Sequence, residues 1–450
     1  MRRLLFVDVL RGIAIFCVIV FHAMTFNIFG GTQQALDAVS PVVKAIAYPI
    51  GIIGSWAAIF IFLSGIANTA AMYNQLKKGI KTGKLLLGAI LPGLAIITIN
   101  YVFMILFSHY RVVGDQEYYS IINGFLETLS YHKFDPRILL FNSALIMIGF
   151  GTIISNTFLI IFRRNLLDEK SNKIYWILMV IGLVIFAFTP LLDWIFQIHS
   201  RPPSEFADHI TKIDTFWEAE KYLTAYLTSL LVGPRHSIFP YAAYGLFGSV
   251  IGIMILRKVN PKKFMAFGYI IGGIFTIMGF FLWIPLGVPS LNEPKYSPNL
   301  YILDLGLLFC LITFFTSLFE FRDDKTRVKL AQKTIFVRRY SMSTLTIFIF
   351  ESTISTGIAQ LFNVIFSGFY PAGIITNEMF GFIVYLPLVF FLWHFILKGW
   401  EKVNFIGSVE WITNEIVGRL RGRKSDKLNA NKILYNPITL EDDSIILKKI

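Results

Sequence analysis

Three ionisable side chains, Asp8, Arg11 and His22, interrupt the otherwise apolar run FVDVLRGIAIFCVIVFHAMTF. Placing Asp or Arg at the centre of a membrane helix costs about 2.5–3.5 kcal/mol on insertion scales, so such residues usually mark a site or a pathway. Arg11 and His22 are separated by close to three helical turns, which puts both on one face about 16 Å apart. Asp8, three residues before Arg11, shares that face. An imidazole with a pKa of about 6.5 can remove a proton from an attacking hydroxyl or amine near neutral pH. Alternatively, it can attack a thioester and carry the acyl group itself. A guanidinium suits phosphate or the polar arm of a donor. The plainer role for His22 is a satisfied hydrogen bond between helices.

Further candidates lie along the chain. Glu351, in RRYSMSTLTIFIFESTIS, falls near mid-membrane, where a carboxylate must be protonated, paired or open to a cavity. It would line the same cavity as His22, or serve as a structural partner, for instance of Arg11. Asn68 lies in SWAAIFIFLSGIANTAAMY beside Ser64, Gly65, Ala67 and Ala70; close helix packing is the bland reading of those small residues, and a hydrogen bond to a ligand the functional one. Arg235 and His236 open GPRHSIFPYAAYGLFGSVIG and are acceptor-side candidates, or else a solvated loop pair. Arg338 and Arg339 are candidates for binding phosphate groups, or simply determinants of topology. His109, His132, His199, His209 and His394 show no partner pattern. No HExxH, CxxC or paired Asp/Glu/His spacing occurs, so no metal is expected, and there is no Walker loop or dinucleotide glycine motif.

These residues need helices to position them. Hydrophobic residues make up 55% of the 450, aromatics 16%, and mean hydropathy is +0.63, which indicates an all-α polytopic membrane protein. Apolar windows predict about ten transmembrane helices, starting near Leu4, Ile46, Leu85, Ile138, Ile174, Ser237, Phe264, Leu300, Tyr340 and Glu378. The net charge of +13 is set unevenly: the four short loops of one side carry 19 basic residues. The five longer loops of the other (27–48, 109–137, 198–236, 285–298 and 363–378) carry 9. By the positive-inside rule both termini are cytoplasmic, and the excess charge meets anionic lipid rather than nucleic acid.

Cys17 and Cys310 fall inside apolar spans and imply no disulfide framework. The start MRRLLF reads as the flank of an uncleaved first helix, since no small-residue cleavage site follows. Residues 1–416 form the expected membrane domain, with a first-helix signature at 4–29 and a C-terminal half at 237–416; 417–450 read as a polar, flexible cytoplasmic tail. In the second long outer loop, the stretch from Ser204 to Leu227 would form a helix at the membrane surface. No transporter-like internal repeat is apparent.

The pattern D-x-x-R-G-x-A at Asp8–Ala14, with His22 eleven residues after the arginine and FIFLSG in the second span, resembles the transmembrane acyltransferase superfamily. Within it, the chain resembles the heparan-α-glucosaminide N-acetyltransferase branch and its bacterial homologues. RRYSMSTLTIFIFES (338–352) and NFIGSVEWITNEI (404–416) resemble the C-terminal half of the bacterial branch. The resemblance implies transfer of an acetyl group from cytoplasmic acetyl-CoA to a hydroxyl or amine of a glycan or lipid-linked acceptor across the plasma membrane. It implies that His22 is base or acyl carrier and that Arg11 with Asp8 supports the donor. Self-association is an expectation of the same kind, since the family contains dimers. In the heparan branch the catalytic histidine follows the first helix, whereas loop 27–48 here contains none. The rival expectation is a proton- or ion-coupled transporter using Asp8, Arg11, His22 and Glu351 as its path. A third, a receptor or scaffold built on the outer loops, leaves the Arg11 and His22 face unexplained.

Overall fold

A computed structural model of the chain describes residues 4–28, 41, 57–109, 111–113, 116–196, 212–233, 236–286, 298–366, 380–422 and 429–435. The first helix, α1 (Leu5–His22), runs on into a π-helical turn, Ala23–Ile28. After it come α2 (Ala58–Lys77), α3 (Thr82–Leu106), and a small antiparallel hairpin of β1 (Arg111–Val113) and β2 (Gln116–Tyr118). There follow α4 (Ile121–Thr128), α5 (Ala144–Ile161), α6 (Arg163–Leu167), α7 (Lys173–Ile195), α8 (Lys212–Glu218) and α9 (Tyr222–Val232). The second half holds α10 (Ile238–Leu256), α11 (Pro261–Leu286), α12 (Pro298–Phe319), α13 (Asp324–Lys333), α14 (Ile335–Ser341) and α15 (Thr344–Ile365). A second π turn, Gly381–Tyr385, leads into α16 (Leu386–Glu401), and α17 (Val409–Leu420) and α18 (Ala430–Tyr435) complete the described chain.

Nine helices among the described residues are long and apolar enough to cross a membrane: α1 with its π turn, α3, α5, α7, α10, α11, α12, α15, and α16 with its π turn. This is consistent with a multi-pass membrane protein. The tenth expected span, starting near Ile46, begins outside the described residues, and its described part is α2. Ser64, Asn68, Thr69, Asn74 and Gln75 make α2 more polar than the other nine. It tolerates them because its neighbours are α5 and α10, so its polar groups meet protein instead of lipid. Its small residues do pack: a Cβ on Gly65 would lie 2.2 Å from the Gly245 carbonyl oxygen, an approach only glycine allows.

Central and peripheral helices are distinguished by burial. In α10, 83% of the apolar window is inside the protein, against 17% in α11. Exposed Trp176, Phe188 and Trp194 on α7, and Ile270, Ile277 and Phe281 on α11, suit a lipid-facing surface. The N-terminal half of α1 belongs to a core shared with α2, α5, α7, α10 and α12. Its C-terminal half belongs to a second core built with α14, α15, α16 and α18. The first helix therefore joins the two packing units, and what it carries at its far end is held between them.

Two carboxylates from distant segments cap the helices that frame the site. A helix start leaves backbone N–H groups without intrahelical acceptors, and a carboxylate there also meets the positive end of the helix dipole. Glu320, at the end of α12, accepts from the N–H groups of Leu5 (2.7 Å) and Phe6 (3.4 Å), while Arg327 holds its other oxygen at 3.0 Å. Glu410 on α17 accepts from the backbone N–H groups of Leu345 and Thr346 and, at 2.5 Å, from the Thr346 hydroxyl, capping α15. Burial pushes the Glu410 carboxyl above its ordinary pKa, against the opposing pull of those hydrogen bonds.

The described part of 417–450 is tied to the membrane domain instead of trailing from it. Helix α17 crosses the expected boundary at 416, and α18 is docked on α14. Arg338 donates to the backbone carbonyls of Ala331 (3.1 Å), Leu434 (3.3 Å) and Ile433. Of the expected surface helix, 204–211 lies outside the described residues, and the rest falls in α8 and α9.

Candidate functional site

The site forms where α1 gives way to its π turn. His22 is the last α-helical residue, and its Nδ1 lies 2.5 Å from Glu351 Oε1. Five residues further along both chains, the Asn27 amide donates to the Thr356 hydroxyl at 3.4 Å. Both contacts advance by the same step, so α1 and α15 run side by side in the same direction. The widened π turn, a feature frequent at functional sites, carries Asn27 and also Phe26, whose ring stacks on that of His109 with centroids 3.8 Å apart and planes at 8°.

His109 is the residue that local spacing did not reveal. Its Nε2 lies 3.3 Å from the same Glu351 Oε1, and the two imidazole centroids are 5.2 Å apart. The segment after α3 is held in place by its own bonds. Ser352 donates to the Phe107 carbonyl at 2.5 Å, Ser120 to the Ser108 carbonyl at 2.6 Å, and the Ser108 hydroxyl to Met104 at 3.1 Å. His109 lies 87 residues from His22 and 242 from Glu351, so no motif in the chain links them. The one available signal was its type: an imidazole at the edge of an apolar span.

Burial divides the three roles. The Glu351 side chain is 1% exposed and that of His109 4%, whereas His22 retains 22%. With Glu351 ionised, its carboxylate can only accept, and both rings then donate to it. That assigns the His22 proton to Nδ1 and leaves the Nε2 lone pair for a reacting group, the tautomer following from the hydrogen bond. Such an arrangement can orient a general base and stabilise its protonated form. Glu351 Oε2 and Asn27 Oδ1 are buried with no hydrogen-bond partner among the described residues. Tyr385, from the second π turn, donates to the Ser355 carbonyl at 3.0 Å and closes this part of the bundle.

The remaining candidates lie elsewhere. Asp8 is buried and Arg11 half-buried near the start of α1, about 21 Å and about 16 Å of helix from His22, so the polar face of α1 has two separate ends. Asn68 donates to Ser64 (3.3 Å) and Thr152 (3.4 Å), in a polar seam between α2 and α5. Arg338 is engaged by backbone carbonyls, and Arg339 pairs with Glu401 at 2.5 Å and donates to the Tyr435 hydroxyl at 3.2 Å. Both guanidinium groups thus bind the protein's own chain. His236 is half-buried with its ring 6.0 Å from that of Tyr241, and Arg235 lies outside the described residues. Gly12 of the D-x-x-R-G-x-A pattern serves packing: a Cβ there would sit 2.1 Å from the Val337 carbonyl oxygen of α14.

No protein-family model matches the chain, and no curated protein matches it.

Proposed function

We propose that this protein is a membrane-bound acyltransferase of the plasma membrane. It would move an acetyl group from cytoplasmic acetyl-CoA to a hydroxyl or amine of an extracytoplasmic glycan or glycolipid. The observation that carries this reading is the contact of His22 Nδ1 with buried Glu351, which leaves Nε2 as the accessible basic atom. In the proposed step Nε2 takes the proton of the acceptor as its oxygen or nitrogen attacks the thioester carbonyl. The C–S bond then breaks, and the imidazolium returns the proton to the departing CoA thiolate. Glu351 holds the ring and offsets the positive charge that forms on it. General-base assistance of this kind contributes about 10²–10⁴ in rate. Arg11 and Asp8, at the other end of α1, are proposed to support the donor.

Purified protein in detergent, given acetyl-CoA and a pool of cell-envelope glycans, is expected to release CoA. His22→Ala is expected to lose that turnover by about 10²-fold or more. Absence of turnover together with absence of acetyl-CoA binding would remove the donor assignment. One observation favours a second reading, proton-coupled transport: two imidazoles share one carboxylate, which also makes a proton relay. Flux driven by a pH gradient in liposomes, without CoA release, would select it.

A further inference from the structure

The same three side chains form a ligand set that local spacing did not suggest. One ring nitrogen of His22, one of His109 and a Glu351 carboxylate oxygen all lie within 4.8 Å of one another. We propose that these residues bind one divalent transition-metal ion of the zinc class. Two imidazoles and a carboxylate make a borderline-soft donor set suited to such ions, and three protein ligands with a free position is the composition of an open zinc site.

Several features of the site support a bound ion. Zinc sits about 2.0–2.2 Å from nitrogen and oxygen ligands. The separation of His109 and Glu351, 3.3 Å, already fits two ligands of one tetrahedral centre. The 2.5 Å pair of His22 and Glu351 must open by about 1 Å, and the ring nitrogens of His22 and His109, within 4.8 Å of one another, must settle at about 3.3 Å, both side-chain adjustments. The ligands come from three separate elements, α1, the segment after α3, and α15, so they converge from different directions. Phe26 fixes the plane of the His109 ring by stacking. Glu351 Oε2 is buried without a partner among the described residues, and Asn27 Oδ1 is in the same condition a turn and a half along the pair of helices. The first can complete a bidentate carboxylate or accept a hydrogen bond from a metal-bound water. Binding requires both ligating nitrogens to present lone pairs, so their protons shift to His22 Nε2 and His109 Nδ1 or leave to solvent. Metal-bound His22 has no free basic nitrogen, so the ion and the acyl-transfer base are alternative states of one residue. Metal binding itself does not depend on that activity.

The test counts the ion instead of turnover. Full-length protein in detergent is stripped with chelator, titrated with Co2+ and then Zn2+, and analysed for metal content and visible absorption. The expected result is one ion per chain, with the d–d bands of low-coordinate Co2+ displaced by Zn2+. His109→Asn and Glu351→Gln should each weaken binding by more than about 100-fold, beyond the 10–100-fold typical of losing an outer-shell partner. No stoichiometric binding by the wild type, or wild-type affinity in the His109→Asn, Glu351→Gln double variant, would overturn the proposal. X-ray absorption of the Zn2+-loaded wild type serves if the variants fail to fold. Two imidazole ligands support the site, and an all-oxygen or sulfur shell overturns it. CoA release by metal-free protein is scored separately, so the two proposals stand or fall apart.

Discussion

Glu351 is the atom-level hub of the site, and its removal has an effect that can be worked out in advance. Glu351→Ala deletes one oxygen shared by two unequal bonds. The 2.5 Å contact with His22 is charge-assisted and worth about 1.5–3 kcal/mol. The 3.3 Å contact with His109 is beyond the usual N–H···O range, so it is worth less than about 1 kcal/mol. Deleting the carboxylate also removes a buried charge whose desolvation costs several kcal/mol, so the single variant does not isolate the two bond energies. A double-mutant cycle cancels that self-energy. The His22→Ala, Glu351→Ala cycle should give a coupling of about 1.5–3 kcal/mol, and the His109→Ala, Glu351→Ala cycle less than about 1 kcal/mol. Hydrogen bonds between membrane helices average about 0.6 kcal/mol and reach about 1.7, so a first coupling above about 1.7 kcal/mol identifies a charged pair. Reversible unfolding in mixed micelles, followed by the fluorescence of the 8 tryptophans, supplies the free energies. A His22 coupling at or below about 0.6 kcal/mol, or one smaller than the His109 coupling, would refute the assignment of a charge-assisted pair.

Two further outcomes follow from packing and from the arginines. Gly12→Ala places a methyl 2.1 Å from the Val337 carbonyl oxygen, which only a separation of α1 from α14 relieves. It should destabilise by about 1–3 kcal/mol in the same unfolding assay, and wild-type stability would show that the two helices do not meet there. Arg339→Ala removes the bonds to Glu401 and Tyr435, and should speed amide exchange in 430–435 without weakening acetyl-CoA binding. Unchanged exchange with weakened donor binding would restore the phosphate-binding role.

Hydropathy alone predicted a helical membrane protein, because a span must be apolar wherever it meets lipid, and nine such helices are among the described residues. It also singled out His22 and Glu351, since ionisable residues stand out against an apolar background. The uneven basic loops carried the sequence argument for orientation, a property of the membrane and not of the protein's internal contacts. Tertiary structure alone decided the partners. His22 meets Glu351 across 329 positions and His109 meets it across 242, distances at which local periodicity carries no information. For the same reason Glu320 and Glu410 were not recognisable as helix caps: the N–H groups they satisfy belong to segments far along the chain. Arg338 and Arg339 illustrate the converse. Their charge is legible in the sequence, but whether a guanidinium meets a phosphate or a backbone carbonyl depends on what the fold brings beside it.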